Sequence, residues 1–241
     1  MDKHIDIDKH IDIDKQTDYF LESYLALRNY FEREDKKCGI NMVHLACKLD
    51  VLIDLDSCIK YIDPKKYMLN YIRKNKHGNA VEFIILHKIN HQPYIHMTVS
   101  HEGILHAIGA LIINGDLVVD IYHAILRIIN VFRQEQIIEQ ANLHQLEIKL
   151  LHVEMREAIP MGALLCKFKQ YYAASIGLIN RNKLWYESFI QSIGNHSFVC
   201  MYNPYTKIYF TNYSYTYYYK NQTNFDDLQN THKMVVLMIS D

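Results

Sequence analysis

Hydrophobic and polar positions change their period along the chain. After Thr17, which is placed as an N-cap, Phe20, Tyr24, Leu27, Tyr30 and Phe31 recur three or four apart, so a helix is expected over 17–33. A charged stretch follows. Cys38-Gly39 then opens a segment to residue 62 that is apolar on nearly every side, the pattern of a central buried helix. Asp63-Pro64 starts another expected helix, to about residue 73. His77-Gly78-Asn79 is a turn, and Val81, Phe83, Ile84, Ile85 and Leu86 predict a buried strand over 80–89. Ser100 is placed to cap a helix that Asn114-Gly115 ends. A long helical pattern runs from Asp116 to about residue 157, with a break near Asn142. Pro160 and Gly162 close it, and 163–179 is ambiguous.

Period two takes over at His196. Strands are expected over 196–202, 207–211 and 213–219, with Asn203-Pro204-Tyr205-Thr206 as the first turn. A short helix over 224–230 and a last strand over 234–239 complete the pattern. Helices first and a sheet last predict an α+β fold with a C-terminal antiparallel sheet. Residues 2–15 repeat with a period of six, rich in Asp, Lys, His and Ile. Residues 1–16 are therefore expected as a flexible arm, and 17–241 as a single domain.

Composition narrows the function classes. The 241 residues, 49% of them hydrophobic, suffice for one large soluble domain. With 26 basic and 27 acidic side chains the net charge is −1, which gives no reason to expect nucleic acid or an anionic membrane as partner. Cys38, Cys47, Cys58, Cys166 and Cys200 form neither a disulfide framework nor a Cys-x-x-Cys zinc site. Reduced thiols in the cytoplasm are the default. The first fifteen residues lack an apolar signal core, and the apolar run 104–113 is interrupted by His106 and too short to span a bilayer.

The candidate chemistry centres on Cys38. A thiol opening a buried helix sits at the positive end of the helix dipole, which favours thiolate, and Lys36 and Lys37 add charge. Gly39 allows a carbonyl to approach, and the free N–H groups of the first turn suit an oxyanion. Late in the chain, His196 begins one expected strand and Asn212 ends the next, so an Asn oxygen could orient the imidazole. If the hairpin pairs in an even register, residue numbers sum to 409 and His196 faces Tyr213. Asn212 faces it only if the sum is 408, which requires an odd loop or a bulge.

Together these residues resemble the papain-like (clan CA) cysteine peptidases, nearest to the YopT/AvrPphB-type bacterial effector branch or the related C39-like branch. Cys38, His196 and Asn212 follow the family's order, and the step from His196 to Asn212 is similar to the family's. The resemblance covers about residues 30–50 and 190–240. It implies a papain-like fold with a buried nucleophile helix and a mainly helical insertion at about 63–160. It implies a Cys-His-Asn hydrolase or acyltransferase, of protease, deamidase or transglutaminase type, acting on a protein substrate or host partner without a cofactor. It also leaves open cytoplasmic action after delivery into a host cell. Glu32 stands where the family has its oxyanion Gln, and Asn41 occupies the nucleophile position if Gly39 marks the register. Those two departures favour the alternative, an inactive papain-like module acting as adaptor or inhibitor. A third reading is an unrelated helical interaction protein with a C-terminal sheet.

Competing sites are weaker. His101-Glu102-Gly103-Ile104-Leu105-His106 looks like a zinc-protease motif, but its histidines are five apart, about 140° around a helix. No metal is expected there. His87, His91 and His96 read as polar or surface residues, and Cys47 and Cys200 as core.

Overall fold

Val43, Leu45, Cys47 and Leu49 are buried, whereas Met42, His44 and Lys48 between them are half-buried or exposed. That period of two belongs to a strand, and Cys38–Leu49 forms β1 in the computed structural model of this chain. The structure describes residues 20–25, 38–86, 93–110, 117–179, 190–192, 197–203, 206–219 and 225–240. Residues 20–25 are helical (α1), with Phe20 and Tyr24 buried. After β1 come α2 (Leu55–Tyr61), β2 (Leu69–Lys74), β3 (Ala80–Leu86), β4 (Pro93–Ser100), β5 (Ile104–Ala110) and α3 (Leu117–Gln134). The second half holds β6 (Leu143–Met155), α4 (Met161–Ile179), β7 (Ile190–Ser192), β8 (Phe198–Asn203), β9 (Thr206–Phe210), β10 (Ser214–Tyr219) and α5 (Phe225–Ser240).

The chain divides into two units. Unit 1 comprises Met1–Tyr24 and Met42–Ile148, and unit 2 comprises Leu25–Asn41 and Lys149–Asp241. In unit 1 the strands lie in the order β2-β3-β4-β5-β1, each antiparallel to its neighbours. Its helix α3 meets the side carrying Phe83 and Gly109. Phe83 packs on Phe132 with ring centroids 5.9 Å apart. Gly109 lies so close to α3 that a Cβ there would come within 2.9 Å of Ile121 and 3.0 Å of Leu117. The end of α3 is a left-handed cap: Gln136 has φ 57°, its N–H donates to Arg133 O, and Ile137 N–H donates to Phe132 O at 2.8 Å.

In unit 2 the strand order is β6-β10-β9-β8-β7. Phe168 of α4 packs on Phe210 of β9 at 5.3 Å, and His232 of α5 is buried against Tyr215 and Tyr217 of β10. Among the described elements, those from β1 to α3 and those from β6 to α5 both run β-α-β-β-β-β-α, with α1 preceding the first set. In each, the last strand lies beside the first and the order then counts backwards. The two units repeat one topology.

The α+β class holds, but its arrangement differs from the expectation of a helical first part. The segment 38–62 is β1, a loop and α2, and 63–73 is a turn leading into β2. The expected helix over 100–113 is a turn followed by β5, and the one over 116–157 is α3 followed by β6, divided near Asn142. The region 63–160 thus carries five strands and one long helix where a mainly helical insertion was expected. The last helix and strand merge into α5. The physical reason is shared by β1 and β5. Met42, Ala46, Ile104 and Ile108 place apolar side chains on the outward face too, which dilutes the alternation. The repeat arm 1–16 lies outside the described residues. No described helix is long and apolar enough to cross a membrane.

Candidate functional site

Helix α3 in unit 1 and helices α4 and α5 in unit 2 pack on one side of the strands, and the residues that point the other way make a second face. In unit 1 the register brings Tyr71, Ile84, His96, Ile108 and His44 into line across β2, β3, β4, β5 and β1. Tyr71, Ile84, His96 and His44 are half-buried, and Ile108 is 39% exposed. The next line is polar as far as β5, with Arg73, Glu82, Thr98 and His106, and ends on the buried Ala46 of β1. Arg73 donates to Glu82 at 2.8 Å and its guanidinium lies 5.0 Å from the Tyr71 ring centroid. The two lines meet at His44 and His106, whose Nε2 and Nδ1 lie 3.1 Å apart. Cross-strand neighbours of this kind are close enough to act as one surface.

Unit 2 presents a related face. His152, Thr216 and Tyr209 align across β6, β10 and β9, and Leu150, Tyr218 and Lys207 form the next line. His152 Nδ1 and Thr216 Oγ1 are hydrogen-bonded at 2.6 Å. Burial holds the His152 imidazole below its ordinary titration range, although Glu154 opposes the shift. Tyr218 is 44% exposed.

A cavity of about 500 Å³ in unit 1 is a second candidate, lined by Asp54, Asp56, Lys74, Asn79, His101 and Glu102 among others. Several of its polar groups serve the fold. Asp54 caps α2, accepting from Asp56 N–H at 3.0 Å and Ser57 Oγ at 2.7 Å. The Ser57 hydroxyl and the cap N–H groups hold its carboxyl below the usual range. Asp56 pairs with Lys74 at 2.5 Å. His101 Nδ1 donates to Ile53 O at 2.8 Å.

The described residues do not assemble the expected nucleophile site. Cys38 is the first residue of β1, a strand, so the helix-dipole argument for its thiolate does not apply. Gly39 is exposed, with nothing within 4 Å of a Cβ placed on it. Glu32 and His196 lie outside the described residues. Asn212 uses its backbone carbonyl to accept from Ile159 N–H at 2.6 Å. Asn41 donates to Glu154 at 2.9 Å. The β8–β9 register does follow the sum of 408: Phe198 pairs with Phe210 and Cys200 with Ile208, and a bulge lies between Met201 and Asn203. Register alone supplies no nucleophile. Cys47 and Cys58 are buried, and burial pushes both thiols up to about 12, far from reactive. His101 lies in a turn and His106 in β5, so the helix that a zinc-protease motif requires is not there. Among the described residues no group of three or more His, Cys, Asp and Glu is placed to hold a metal ion.

Sequence reasoning passed over His44, Tyr71 and Tyr209. The signal that could have found them is polar or aromatic residues at every second position, as in Tyr209 between buried Ile208 and Phe210 with Lys207 two before it.

No protein-family model and no curated protein matches the sequence. Among solved structures the chain is similar to Methanococcus jannaschii TBP, with a TM-score of 0.46 and 10% identity, over 84% of this chain and 98% of that chain. Neither comparison supports the papain-like resemblance, and β1 in place of the nucleophile helix removes its physical basis. The cysteine-peptidase reading, its triad, the inactive papain-like alternative and the protein-substrate partner are corrected accordingly. The exclusion of nucleic acid is corrected with them, because a whole-chain charge of −1 averages over faces of different character and excludes no partner.

Proposed function

We propose that the chain is a nucleic-acid-binding module whose contacts are made by outward sheet residues within each of its repeated units. The observation that supports this reading is the line Tyr71–Ile84–His96–Ile108–His44 across unit 1, with His152–Thr216–Tyr209 across unit 2. Aromatic and aliphatic side chains at adjacent positions offer flat apolar contact to base faces or to the sugar edges of a groove. Imidazole and hydroxyl groups beside them offer hydrogen bonds. Arg73 is already bonded to Glu82, while Lys48 and Lys207 stand exposed. Binding of this kind draws more on contact than on charge.

The test is fluorescence anisotropy with labelled duplex and single-stranded DNA at several salt concentrations. At least one probe is expected to bind, with log K falling against log salt at a slope of only about −1 to −2, the release of one or two counterions. No binding of either probe at about 100 µM protein, the weak end of ordinary non-specific association, contradicts the reading.

A further inference from the structure

We infer that Thr216 fixes the imidazole of His152 as a neutral N–H donor for a base edge, an inference that rests on reading the unit 2 face as a nucleic-acid surface. The two residues stand opposite each other on β6 and β10, with Tyr209 next in line on β9. His152 Nδ1 and Thr216 Oγ1 are 2.6 Å apart, so one hydrogen lies between them. It belongs either to the hydroxyl or to the ring. Thr216 is 4% exposed, and among the described residues its hydroxyl meets no other hydrogen-bond partner. If Nδ1–H donated, the hydroxyl hydrogen would be buried without an acceptor, which is costly. The hydroxyl is therefore the donor and Nδ1 the acceptor. In a neutral imidazole the ring hydrogen then sits on Nε2. His152 is half-buried, and its Nε2 stays open to solvent.

Two features favour a base edge over a phosphate as the acceptor. Burial holds the imidazole below its ordinary titration range, so around neutral pH the ring offers a dipole and no full charge. Glu154, two residues along β6 on the same face, is exposed and accepts from Asn41 at 2.9 Å. Its carboxylate repels a phosphate but tolerates a ring nitrogen or carbonyl oxygen, which carries no net charge. Lys207 stands exposed in the neighbouring line, two strands from β6, where a phosphate has a cation to meet. Thr216 is thus a positioning residue, and His152 is the group that touches the ligand.

The experiment takes two readings on the full chain. Nitrogen NMR shifts of the His152 ring, assigned by their loss in His152→Phe, report which nitrogen carries hydrogen, without DNA and with a duplex or a single strand. Nδ1 is expected bare and Nε2 protonated in both states. Hydrogen on Nδ1 of the free protein overturns the inference. Hydrogen on both nitrogens in the complex overturns it too, because a phosphate contact draws a proton onto the ring. Affinity for the same DNA, measured by anisotropy, should fall roughly 3- to 10-fold in His152→Phe and in Thr216→Val, the share of one hydrogen bond. Thr216→Ser should restore it. The double variant should lose no more than His152→Phe alone, because Thr216 acts through the ring. Additive losses would overturn the positioning role. Urea midpoints show whether each variant is folded, and where Thr216→Val is not, the ring pattern and His152→Phe decide. Undiminished affinity in folded His152→Phe overturns the inference and leaves the reading of the face standing. A protein that binds neither DNA overturns both.

Discussion

Gly103 lies directly beneath the backbone of Val51: a Cβ placed on it would sit 2.5 Å from Val51 O and 2.9 Å from Leu49 O. Its φ of 76° is also in the left-handed region. The turn 100–103 clamps the loop after β1, because Leu49 N–H donates to Gly103 O at 2.9 Å and Ile53 N–H donates to His101 O at 2.8 Å. Gly103→Ala combines a backbone conformation that disfavours side chains with a clash against carbonyl oxygens that have little room to move. A loss of roughly 2–4 kcal/mol in urea denaturation is expected. Gly162→Ala, in a helix with open space around the new methyl, should be neutral or stabilise by about 0.5–1 kcal/mol. Similar losses in the two variants would refute the clamp.

The cap of α3 gives the opposite sign. Gln136 occupies the left-handed position that favours glycine. Gln136→Gly keeps both cap hydrogen bonds and relieves the backbone. It is expected to raise stability by roughly 0.5–1 kcal/mol, read as a higher urea midpoint. A lower midpoint would show that the Gln136 side chain contributes more than the backbone strain costs.

These two positions also explain how much of the fold could be read from the sequence. The pattern of 196–219 was legible, including the bulged register, because Tyr and Thr alternate and only one face is apolar. The break near Asn142 and the turn at Gly78 were legible as well. The end of α3 was hidden, because its left-handed cap carries Gln136 and not the glycine that marks most such ends. Strands β1 and β5 were hidden by outward Met42, Ala46, Ile104 and Ile108, whose positions are set by cross-strand neighbours far away in the chain. The candidate face is built from five strands, so no local window contains it. Cys38-Gly39 resembled a nucleophile only under the assumption of a helix.

Acid should destabilise unit 2 through His232. This imidazole is fully buried, with Nδ1 3.1 Å from Tyr215 Oη, and burial pulls it down to about 3. In the unfolded chain it titrates near 6.5. Its contribution is therefore complete above about pH 6.5 and is lost as pH falls from there towards 3, at up to about 1.4 kcal/mol per pH unit. Urea midpoints at pH 7 and pH 5 check this. His232→Gln should be less stable at pH 7 and show a pH slope shallower by one proton. An unchanged slope would mean that His232 is protonated in the fold.

Thiol chemistry should follow burial. Cys166 is exposed, whereas Cys47 and Cys58 are buried with thiols pushed up to about 12. Iodoacetamide labelling read by mass spectrometry should modify Cys166 in the folded protein, and Cys47 and Cys58 only after denaturant is added. Rapid labelling of Cys47 in the native state would contradict the packing of β1.

The central claim is that the open faces, and not the helices, meet the ligand. Duplex and single-stranded DNA affinities of Tyr71→Ala and Tyr209→Ala, set against Leu237→Ala on the exposed surface of α5, test it most directly. A lost aromatic contact is worth about 1–3 kcal/mol, so each tyrosine substitution should weaken binding by roughly 5- to 150-fold, while Leu237→Ala leaves it unchanged. Wild-type affinity in both tyrosine variants, or an equal loss in Leu237→Ala, would contradict the account.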